Sequence, residues 1–314
     1  MSAGDALPPR FQQWFADRGW SPRAHQLAML EKAREGRGAL LIAPTGGGKT
    51  LAGFLPSLIE LAERPPRNAP AGVHTLYISP LKALAVDVER NLLTPIREMG
   101  LPIVAESRTG DTGEARKARQ RIRPPDILLT TPEQMALLLS SDDAPFLFSS
   151  LKRVVLDELH ALVTSKRGDL LSLALARLWR LAPEMRMIGL SATVAEPEQI
   201  ARFLVPQPSG GIAAADVVIA GGAAPPVVEM LDTQERLPWA GHSARHALAE
   251  MYELIKKNKT TLVFVNTRSQ AEMLFQEFWR INDDNLAIAL HHGSLDVAQR
   301  RKVEDAMSAG RLRG

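Results

Sequence analysis

Cysteine is absent from this sequence, which excludes disulfides, thiol nucleophiles, thiolate zinc sites and iron–sulfur clusters. Long hydrophobic runs are also missing. The first ten residues contain no apolar segment of the kind found in signal peptides, and runs such as 39–43 are far shorter than the roughly 18 residues that a membrane span requires. We therefore expect a cytoplasmic protein without a membrane partner.

Aromatic residues make up only 5% of the chain, and no aromatic-rich strand of the kind that stacks RNA bases is apparent. The net charge of +3 permits a polyanionic partner but is weak evidence for one. The remaining composition, 45% hydrophobic and 23% charged over 314 residues, is ordinary for a folded protein. At ~150 residues per domain this length predicts about two domains.

Short apolar runs rich in β-forming residues alternate with stretches of helical periodicity through the first two thirds of the chain. Strand followed by helix, repeated, predicts a doubly wound α/β fold with a parallel sheet, in which ligands bind at the carboxyl ends of the strands. The predicted strands cover 39–42, 75–79, 103–105, 126–130, 154–157 and 187–190, and the main helices cover 51–62, 81–99, 132–139 and 169–181.

A stretch rich in proline, glycine and alanine interrupts this alternation after residue 206, although 216–220 could still be a short strand. We place a first domain at 1–207, a linker at 208–226 and the amino-terminal part of a second α/β domain at 227–314. The second part is predicted to contain strands at 227–231, 261–265 and 286–289 and helices at 243–257, 270–281 and 296–309.

Residues 43–50, Ala-Pro-Thr-Gly-Gly-Gly-Lys-Thr, lie between a predicted strand and a predicted helix. Glycines let the backbone approach an anion, while the N–H groups and the helix dipole point at it, so this pattern indicates a phosphate-binding loop. Thr45 belongs to the loop together with Gly46, Gly47 and Gly48. Lys49 is expected to reach the β- and γ-phosphates of ATP, and the Thr50 hydroxyl is expected to bind Mg²⁺. A glycine-rich turn without a ligand is the alternative.

The run Val-Val-Leu-Asp-Glu-Leu-His at 154–160 ends an apolar strand in two carboxylates. Asp157 is predicted to bind Mg²⁺ beside the phosphate-binding loop, and Glu158 to orient or deprotonate the attacking water. His160 is expected to take part in catalysis or to bridge to another segment. An acidic turn without function is the alternative for this run alone.

Three weaker signals remain open. Ser191 and Thr193 follow a predicted strand and suit either a relay to the acidic pair or a helix cap. Gln26 can pair with an adenine edge, with a ring such as Trp20 packed nearby. The basic stretch 114–123 is either a phosphate-binding face or, more commonly, a solvated helix surface.

Taken in order, these motifs and the segments at 79–84, 108–112, 131–134 and 262–268 resemble the motif series of superfamily-two DExH-box helicases. The segments at 108–112, 165–168 and 237–242 further resemble Lhr-type helicases, most closely the bacterial ligase-associated branch. The resemblance implies RecA-like lobes with ATP between them, 3′ to 5′ movement on single-stranded DNA, and a role in DNA repair. It also implies single-stranded or partly duplex DNA, or an RNA:DNA hybrid, as substrate, and DNA ligase and nuclease partners.

By that resemblance, Gln26 contacts adenine, and Ser191 and Thr193 couple ATP to movement. The implied nucleic-acid contacts are Lys82, Arg108, Thr109, Thr131 and Pro132 in the first lobe and Asn266, Thr267 and Arg268 in the second. Two later motifs of the family, one bearing an arginine that completes the active site, have no counterpart in this sequence. We therefore hypothesise feeble ATP hydrolysis by this chain alone; an ATP- and nucleic-acid-binding fragment and an RNA-directed helicase are the alternative functions.

Overall fold

A computed structural model describes residues 6–44, 46–65, 71–192, 194–221, 227–233 and 244–314. The chain divides into two compact units, 1–224 and 225–314. Part of the stretch interpreted as a linker, Asp216–Ile219, is a strand of the first unit and corresponds to the short strand considered for 216–220. Among the described residues, no helix combines the length and apolar character needed to cross a bilayer.

The first unit is built on one parallel sheet of seven strands in the order β3-β4-β2-β5-β6-β1-β7. Every strand pairing in it is parallel, which confirms the predicted doubly wound RecA-like α/β fold. The strands are β1 Ala39–Ile42, β2 Thr75–Ile78, β3 Ala105–Ser107, β4 Ile127–Thr130, β5 Arg153–Leu156, β6 Arg186–Ser191 and β7 Asp216–Ile219.

Helices cover both faces of this sheet, so β1, β2, β4 and β5 are buried at every position and their burial does not alternate. On one face Leu41 and Tyr77 pack in a core with Phe54, and on the other Leu40 and Leu76 pack in a second core. The helices are α1 Pro9–Asp17, α2 Ala24–Arg34, α3 Lys49–Glu63, α4 Lys82–Glu98, α5 Glu114–Ile122, α6 Pro132–Leu139, α7 Ala144–Leu147, α8 Leu159–Val163, α9 Lys166–Leu181 and α10 Pro197–Arg202.

The predicted strand at 103–105 is displaced, because β3 begins only at Ala105. The Ile103 N–H donates to the Leu101 carbonyl at 2.8 Å, across Pro102. This three-residue turn is typical of the segment before a strand and uses the backbone donor that a strand beginning at residue 103 would need. The other strands of the first unit begin and end within a residue of their predicted limits.

The second unit contains a short 3-10 helix, Ala244–Ala247, and the helices α11 Leu248–Lys257, α12 Arg268–Ile281 and α13 Val297–Ser308. Tyr252, Ile255 and Phe278 form its small core. The strands predicted at 227–231, 261–265 and 286–289 are wrong, since none of the described residues of this unit is in a strand.

A strand-forming composition does not by itself produce a strand, because a strand also needs a hydrogen-bonded neighbour and a buried face. Segment 261–265 makes an isolated hydrogen bond from the Thr261 N–H to the Arg313 carbonyl, and Ala289 N–H donates to the Gly314 carbonyl. Leu262 and Phe264 are 61% and 87% exposed. Burial of their apolar side chains therefore contributes little free energy to stabilise the strand conformation that their sequence favours.

Candidate active site

The phosphate-binding loop and the acidic motif lie at one edge of the sheet. The loop follows β1, Ser191 ends β6, and Asp157 follows β5, and these three strands are neighbours in the order β5-β6-β1. The Ala43 N–H donates to the Ser191 carbonyl at 3.1 Å, which ties the start of the loop to the end of β6. Parallel strands thus bring together motifs that are far apart in sequence.

Left-handed backbone at two glycines shapes the loop. Gly46 and Gly48 have φ of 75° and 76°, a conformation that costs other residues about 1–2 kcal/mol. At Gly47 an added Cβ would lie 2.8 Å from the Pro44 carbonyl oxygen, so a larger residue would close the space beside the backbone. The loop leads directly into α3, whose amino-terminal N–H groups favour an anion. Its residues fit a phosphate group.

Lys49 is buried, and its ammonium Nζ donates to the Ala43 carbonyl at 3.0 Å. The side chain therefore curls back over the loop that it follows, where a phosphate would meet it. Thr50, the predicted magnesium ligand of the loop, is the second residue of α3. Thr45 lies outside the described residues.

Asp157 is buried, and both of its carboxylate oxygens accept hydrogen bonds. The Tyr77 hydroxyl donates to Oδ2 at 2.5 Å and the Glu158 N–H donates to Oδ1 at 2.9 Å. Burial raises the pKa of Asp157, although these hydrogen bonds and the positive charge of Lys49 oppose the rise. A divalent cation would stabilise the ionised form of a carboxylate that is poorly solvated and lies beside a phosphate-binding loop. The oxygen ligands present here therefore fit Mg²⁺.

Glu158 and His160 connect the acidic motif to β6. Glu158 has a left-handed φ of 46°, which is strained for a side-chain-bearing residue and is often found at functional sites. Its Oε2 lies 3.6 Å from His160 Nε2, and His160 Nδ1 lies 2.9 Å from the Ser191 hydroxyl. The structure thus brings Ser191 to His160, which in turn lies beside Glu158. Thr193 lies outside the described residues.

Gln26 lies against the phosphate-binding loop and is buried. Its Oε1 accepts from the Arg23 N–H at 2.9 Å, and its Nε2 is 3.4 Å from the Gly48 carbonyl. The Arg23 guanidinium donates to the Gly46 carbonyl at 3.3 Å. The ring of Trp20 packs edge-on against another tryptophan. Arg23, which precedes α2, and Gln26, in its first turn, fasten the start of this helix to the two left-handed glycines of the loop.

The other half of the same sheet edge carries the predicted nucleic-acid contacts of the first unit. Arg108 and Thr109 follow β3, Thr131 and Pro132 follow β4, and Lys82 begins the helix after β2. The strands are neighbours in the order β3-β4-β2, and the Thr130 hydroxyl donates to the Arg108 carbonyl at 2.8 Å.

The cations of this half differ in exposure. Lys82 is exposed, and its Nζ lies 3.0 Å from an Asp111 carboxylate oxygen. Arg108 is buried, donates from Nη1 to the Lys117 carbonyl at 3.0 Å, and has its pKa lowered by burial. Lys82 thus lies at the surface in an ion pair with Asp111, whereas Arg108 is held within the loop after β3.

The sequence pattern of DEAD/DEAH box helicases matches residues 23–200, which include the phosphate-binding loop, the acidic motif and Ser191. The chain belongs to this family. It is 36% identical to an Lhr helicase and probable uracil glycosylase of Mycolicibacterium smegmatis over 96% of this chain and 23% of that protein. It is also 36% identical to the ATP-dependent helicase Lhr-Core of Methanocaldococcus jannaschii, over 98% of this chain and 37% of that protein.

Solved helicase structures share the fold. The Mycobacterium smegmatis Lhr helicase bound to single-stranded DNA and AMP-PNP matches 98% of this chain and 41% of its own, with a TM-score of 0.74 and 36% identity. The helicase MrfA bound to DNA matches 99% of this chain and 44% of its own, with a TM-score of 0.76 and 25% identity. These similarities confirm the resemblance to Lhr-type helicases, and the chain spans less than half of each of these relatives.

The basic helix α5 is engaged in ion pairs within this helicase domain. Arg116 Nη2 lies 3.1 Å from a Glu89 oxygen, and Arg119 Nη2 lies 2.6 Å from a Glu106 oxygen. These neighbouring carboxylates neutralise the cations, which favours a paired surface helix over the phosphate-binding face considered from the sequence.

Arg167 is a connecting residue that the sequence did not identify. Its Nε and Nη2 lie 2.5 and 3.0 Å from the two Glu133 carboxylate oxygens, and its Nη1 donates to the Pro80 carbonyl at 2.6 Å. The Arg167 guanidinium lowers the pKa of Glu133. One side chain thus ties the loop after β2 to the helix that begins at Pro132, and its presence in the 165–168 motif was the only signal for it.

The predicted contacts of the second unit lie together at the start of α12. Thr267 precedes the helix, and its hydroxyl accepts from the Gln270 N–H at 3.2 Å. The Thr267 N–H in turn donates to the Gln270 side-chain oxygen at 3.2 Å. This capping box fixes the backbone that carries Asn266, Thr267 and Arg268.

Proposed function

We propose that this chain is the ATP-binding motor portion of a DNA helicase that moves 3′ to 5′ on single-stranded DNA. One observation carries the proposal: the glycine-rich loop and the buried Asp157 carboxylate lie in one half of a sheet edge, and the segments proposed to bind nucleic acid lie in the other half. Events at the nucleotide therefore act on the same rigid sheet that presents the strand-binding residues.

ATP with Mg²⁺ is the proposed cofactor. Thr45, Gly46, Gly47 and Gly48 would surround the phosphates, and Lys49 would exchange its bond to the Ala43 carbonyl for phosphate oxygens. Thr50 and Asp157 would hold the metal. When bound, Mg²⁺ neutralises charge that develops on the phosphates during hydrolysis.

Hydrolysis is assigned to the acidic motif. Glu158, whose backbone is left-handed, would orient or deprotonate the attacking water. His160 would transmit the state of this site to Ser191, 2.9 Å away, and onward to Thr193. Gln26, fastened to the loop, would contact the adenine.

DNA would lie along Lys82, Arg108, Thr109, Thr131 and Pro132, with Asn266, Thr267 and Arg268 contributing from the second unit. Related helicases solved with single-stranded DNA and with DNA support DNA as the proposed ligand. Contacts to the sugar–phosphate backbone suit movement, since tight binding of particular bases would stall a motor.

The biological role follows from the Lhr resemblance and is likewise proposed. We infer a cytoplasmic DNA-repair helicase that acts on partly duplex DNA or an RNA:DNA hybrid with DNA ligase and nuclease partners. The proposed division remains 1–207 for the first lobe, 208–226 for the linker and 227–314 for part of the second lobe, with the difference that β7, Asp216–Ile219, lies within the linker stretch and pairs with β1 of the first unit.

Fluorescence anisotropy with labelled single-stranded DNA, in the presence and absence of Mg²⁺ and AMP-PNP, tests this function. We expect the nucleotide to change DNA affinity in the wild-type chain and to have no effect in Lys49→Ala. Single-stranded RNA of the same sequence is expected to bind more weakly. A DNA affinity that does not change when the nucleotide is added, or stronger binding of RNA than of DNA, would contradict the proposal.

A further inference from the structure

We propose that Tyr77 is a positioning residue for the metal site: its hydroxyl fixes the Asp157 carboxylate for Mg²⁺ and, through β2, connects that carboxylate to the nucleic-acid segment beginning at Ser79. This inference rests on the proposed function. Tyr77 lies before the 79–84 motif, and its role comes from contacts that join β2, β5 and α3.

The contact is direct. The Tyr77 hydroxyl donates to Asp157 Oδ2 at 2.5 Å, while the Glu158 N–H donates to Oδ1 at 2.9 Å. With one hydrogen bond on each oxygen, the carboxylate plane cannot turn freely. Each carboxylate oxygen has a second lone pair, so the same arrangement leaves acceptor capacity for a cation. Hydrogen-bonding partners of this kind orient metal ligands in many proteins.

A tyrosine is unusual in its surroundings. Tyr77 is fully buried in the core layer that the sheet shares with α3, where its neighbours include Leu41 and Val155. A buried hydroxyl requires a partner, and an aliphatic residue would fill this layer without one. The hydrogen bond to the Asp157 carboxylate, 80 residues away in sequence, therefore explains why the Tyr77 hydroxyl is present in this layer.

The ring of Tyr77 also contacts the helix of the phosphate-binding loop. It stacks on Phe54 with centroids 5.4 Å apart and planes at 28°. Phe54 lies one helical turn after Thr50, the other proposed metal ligand, so both lie on the same side of α3. Through its ring and its hydroxyl, Tyr77 sets the spacing between the two groups that would hold Mg²⁺.

The same strand end leads into the proposed DNA track. Ile78 ends β2, the Ser79 hydroxyl donates to the Leu81 carbonyl at 3.2 Å, and α4 begins at Lys82. Arg167 holds the intervening Pro80 carbonyl. A shift of this segment on DNA binding would reach the end of β2, where the Tyr77 hydroxyl contacts Asp157.

Tyr77→Phe removes the hydroxyl and keeps the ring that stacks on Phe54. The chain contains two tyrosines, so Tyr252→Phe is a matched control; its hydroxyl donates to Asn282 Oδ1 at 3.0 Å in the second unit. The measurement is the affinity for a fluorescent ATP analogue as Mg²⁺ is titrated. We expect Tyr77→Phe to need about 10-fold more Mg²⁺ for the half-maximal gain in affinity, with unchanged affinity in EDTA. Tyr252→Phe should match the wild type.

The outcomes separate the two proposals. If the wild type shows no gain in nucleotide affinity with Mg²⁺, the proposed metal site fails. If it shows the gain and Tyr77→Phe follows the same magnesium curve, the role of Tyr77 is overturned and the proposed function stands. Equal loss of affinity with and without Mg²⁺ would mean that Tyr77 only supports the fold, which also overturns the role.

A second readout follows Tyr77 in the wild-type chain, with Tyr77→Phe used only to assign its signal. Tyrosine labelled with carbon-13 at the hydroxyl-bearing ring carbon gives one signal for each tyrosine, and Tyr77→Phe identifies which belongs to Tyr77. We expect that signal to shift when Mg²⁺ and AMP-PNP are added together and to stay in place with AMP-PNP and EDTA. An unmoved signal under saturating Mg²⁺ and nucleotide would contradict the inference.

Discussion

Glu60 forms a charged cluster at the amino end of the sheet, opposite the edge that carries the active site. Both Arg153 guanidinium nitrogens lie 2.7 Å from its carboxylate oxygens, and His74 Nε2 lies 3.2 Å from Oε2. Burial opposes ionisation, but the hydrogen bonds from His74 and Arg153 outweigh it and lower the pKa of Glu60 from 4.5 to about 2. Arg153 itself is buried.

We predict that Glu60→Gln destabilises the first unit. A shift of this size corresponds to at most ~3.5 kcal/mol at about 1.4 kcal/mol per pKa unit. The Glu60 side chain is 44% exposed, so solvent screening reduces the expected loss to about 1–2 kcal/mol at pH 7. Because the folded-state pKa is depressed, the contribution is complete above the unfolded pKa of 4.5 and is lost as the pH falls toward 2.

Urea denaturation followed by circular dichroism at pH 7 and pH 3 measures this effect. The difference in unfolding free energy between the wild type and Glu60→Gln should shrink to about half or less at pH 3. Glu63→Gln, on the exposed face of the same helix, controls for loss of a helical carboxylate. An equal difference at both pH values, or an effect no larger than that of Glu63→Gln, would refute the reasoning.

Three further predictions concern the active site and the DNA track. Glu158→Gln should keep nucleotide affinity within about twofold and lose about 100-fold or more of whatever phosphate release the wild type shows; normal release would refute its assignment. Arg167→Lys should weaken single-stranded DNA binding about 5-fold, because an ammonium cannot hold Glu133 and the Pro80 carbonyl together. The control Arg177→Lys, at an exposed position, should bind DNA as the wild type does. Equal DNA affinities of the two variants would refute this role of Arg167. DNA affinity should fall steeply with salt, and Lys82→Ala should flatten the log–log slope by about 0.7; an unchanged slope would remove Lys82 from the phosphate contacts.

The first sheet and its active edge were predictable because local patterns determine them. Apolar runs that end in glycine-rich or acidic motifs identify β1 and β5, and parallel pairing brings their carboxyl ends together. The loop after β1 and Asp157 therefore converge as predicted, and the segments after β3, β4 and β2 lie along the other half of the same edge. The start of β3 was misplaced, because Pro102 directs a turn that uses the Ile103 N–H.

Long-range side-chain partners could not be predicted. Tyr77 meets Asp157 across 80 residues and Arg167 meets Pro80 across 87, and such contacts depend on strand register and helix rotation rather than on local composition. The strands of the second unit were overpredicted for a related reason. Segment 261–265 has the composition of a buried strand, but composition specifies neither the neighbouring strand nor the cover that would bury Phe264.

Calorimetric titration of ATP into this chain with and without Mg²⁺ tests the central claim most directly. The geometry of Gly46, Gly47, Gly48 and Lys49 beside Asp157 predicts heat that saturates at one nucleotide per chain, tighter binding with Mg²⁺, and loss of that heat in Lys49→Ala. No heat from the folded wild type, or the same binding curve in Lys49→Ala, would contradict the nucleotide site and with it the proposed motor.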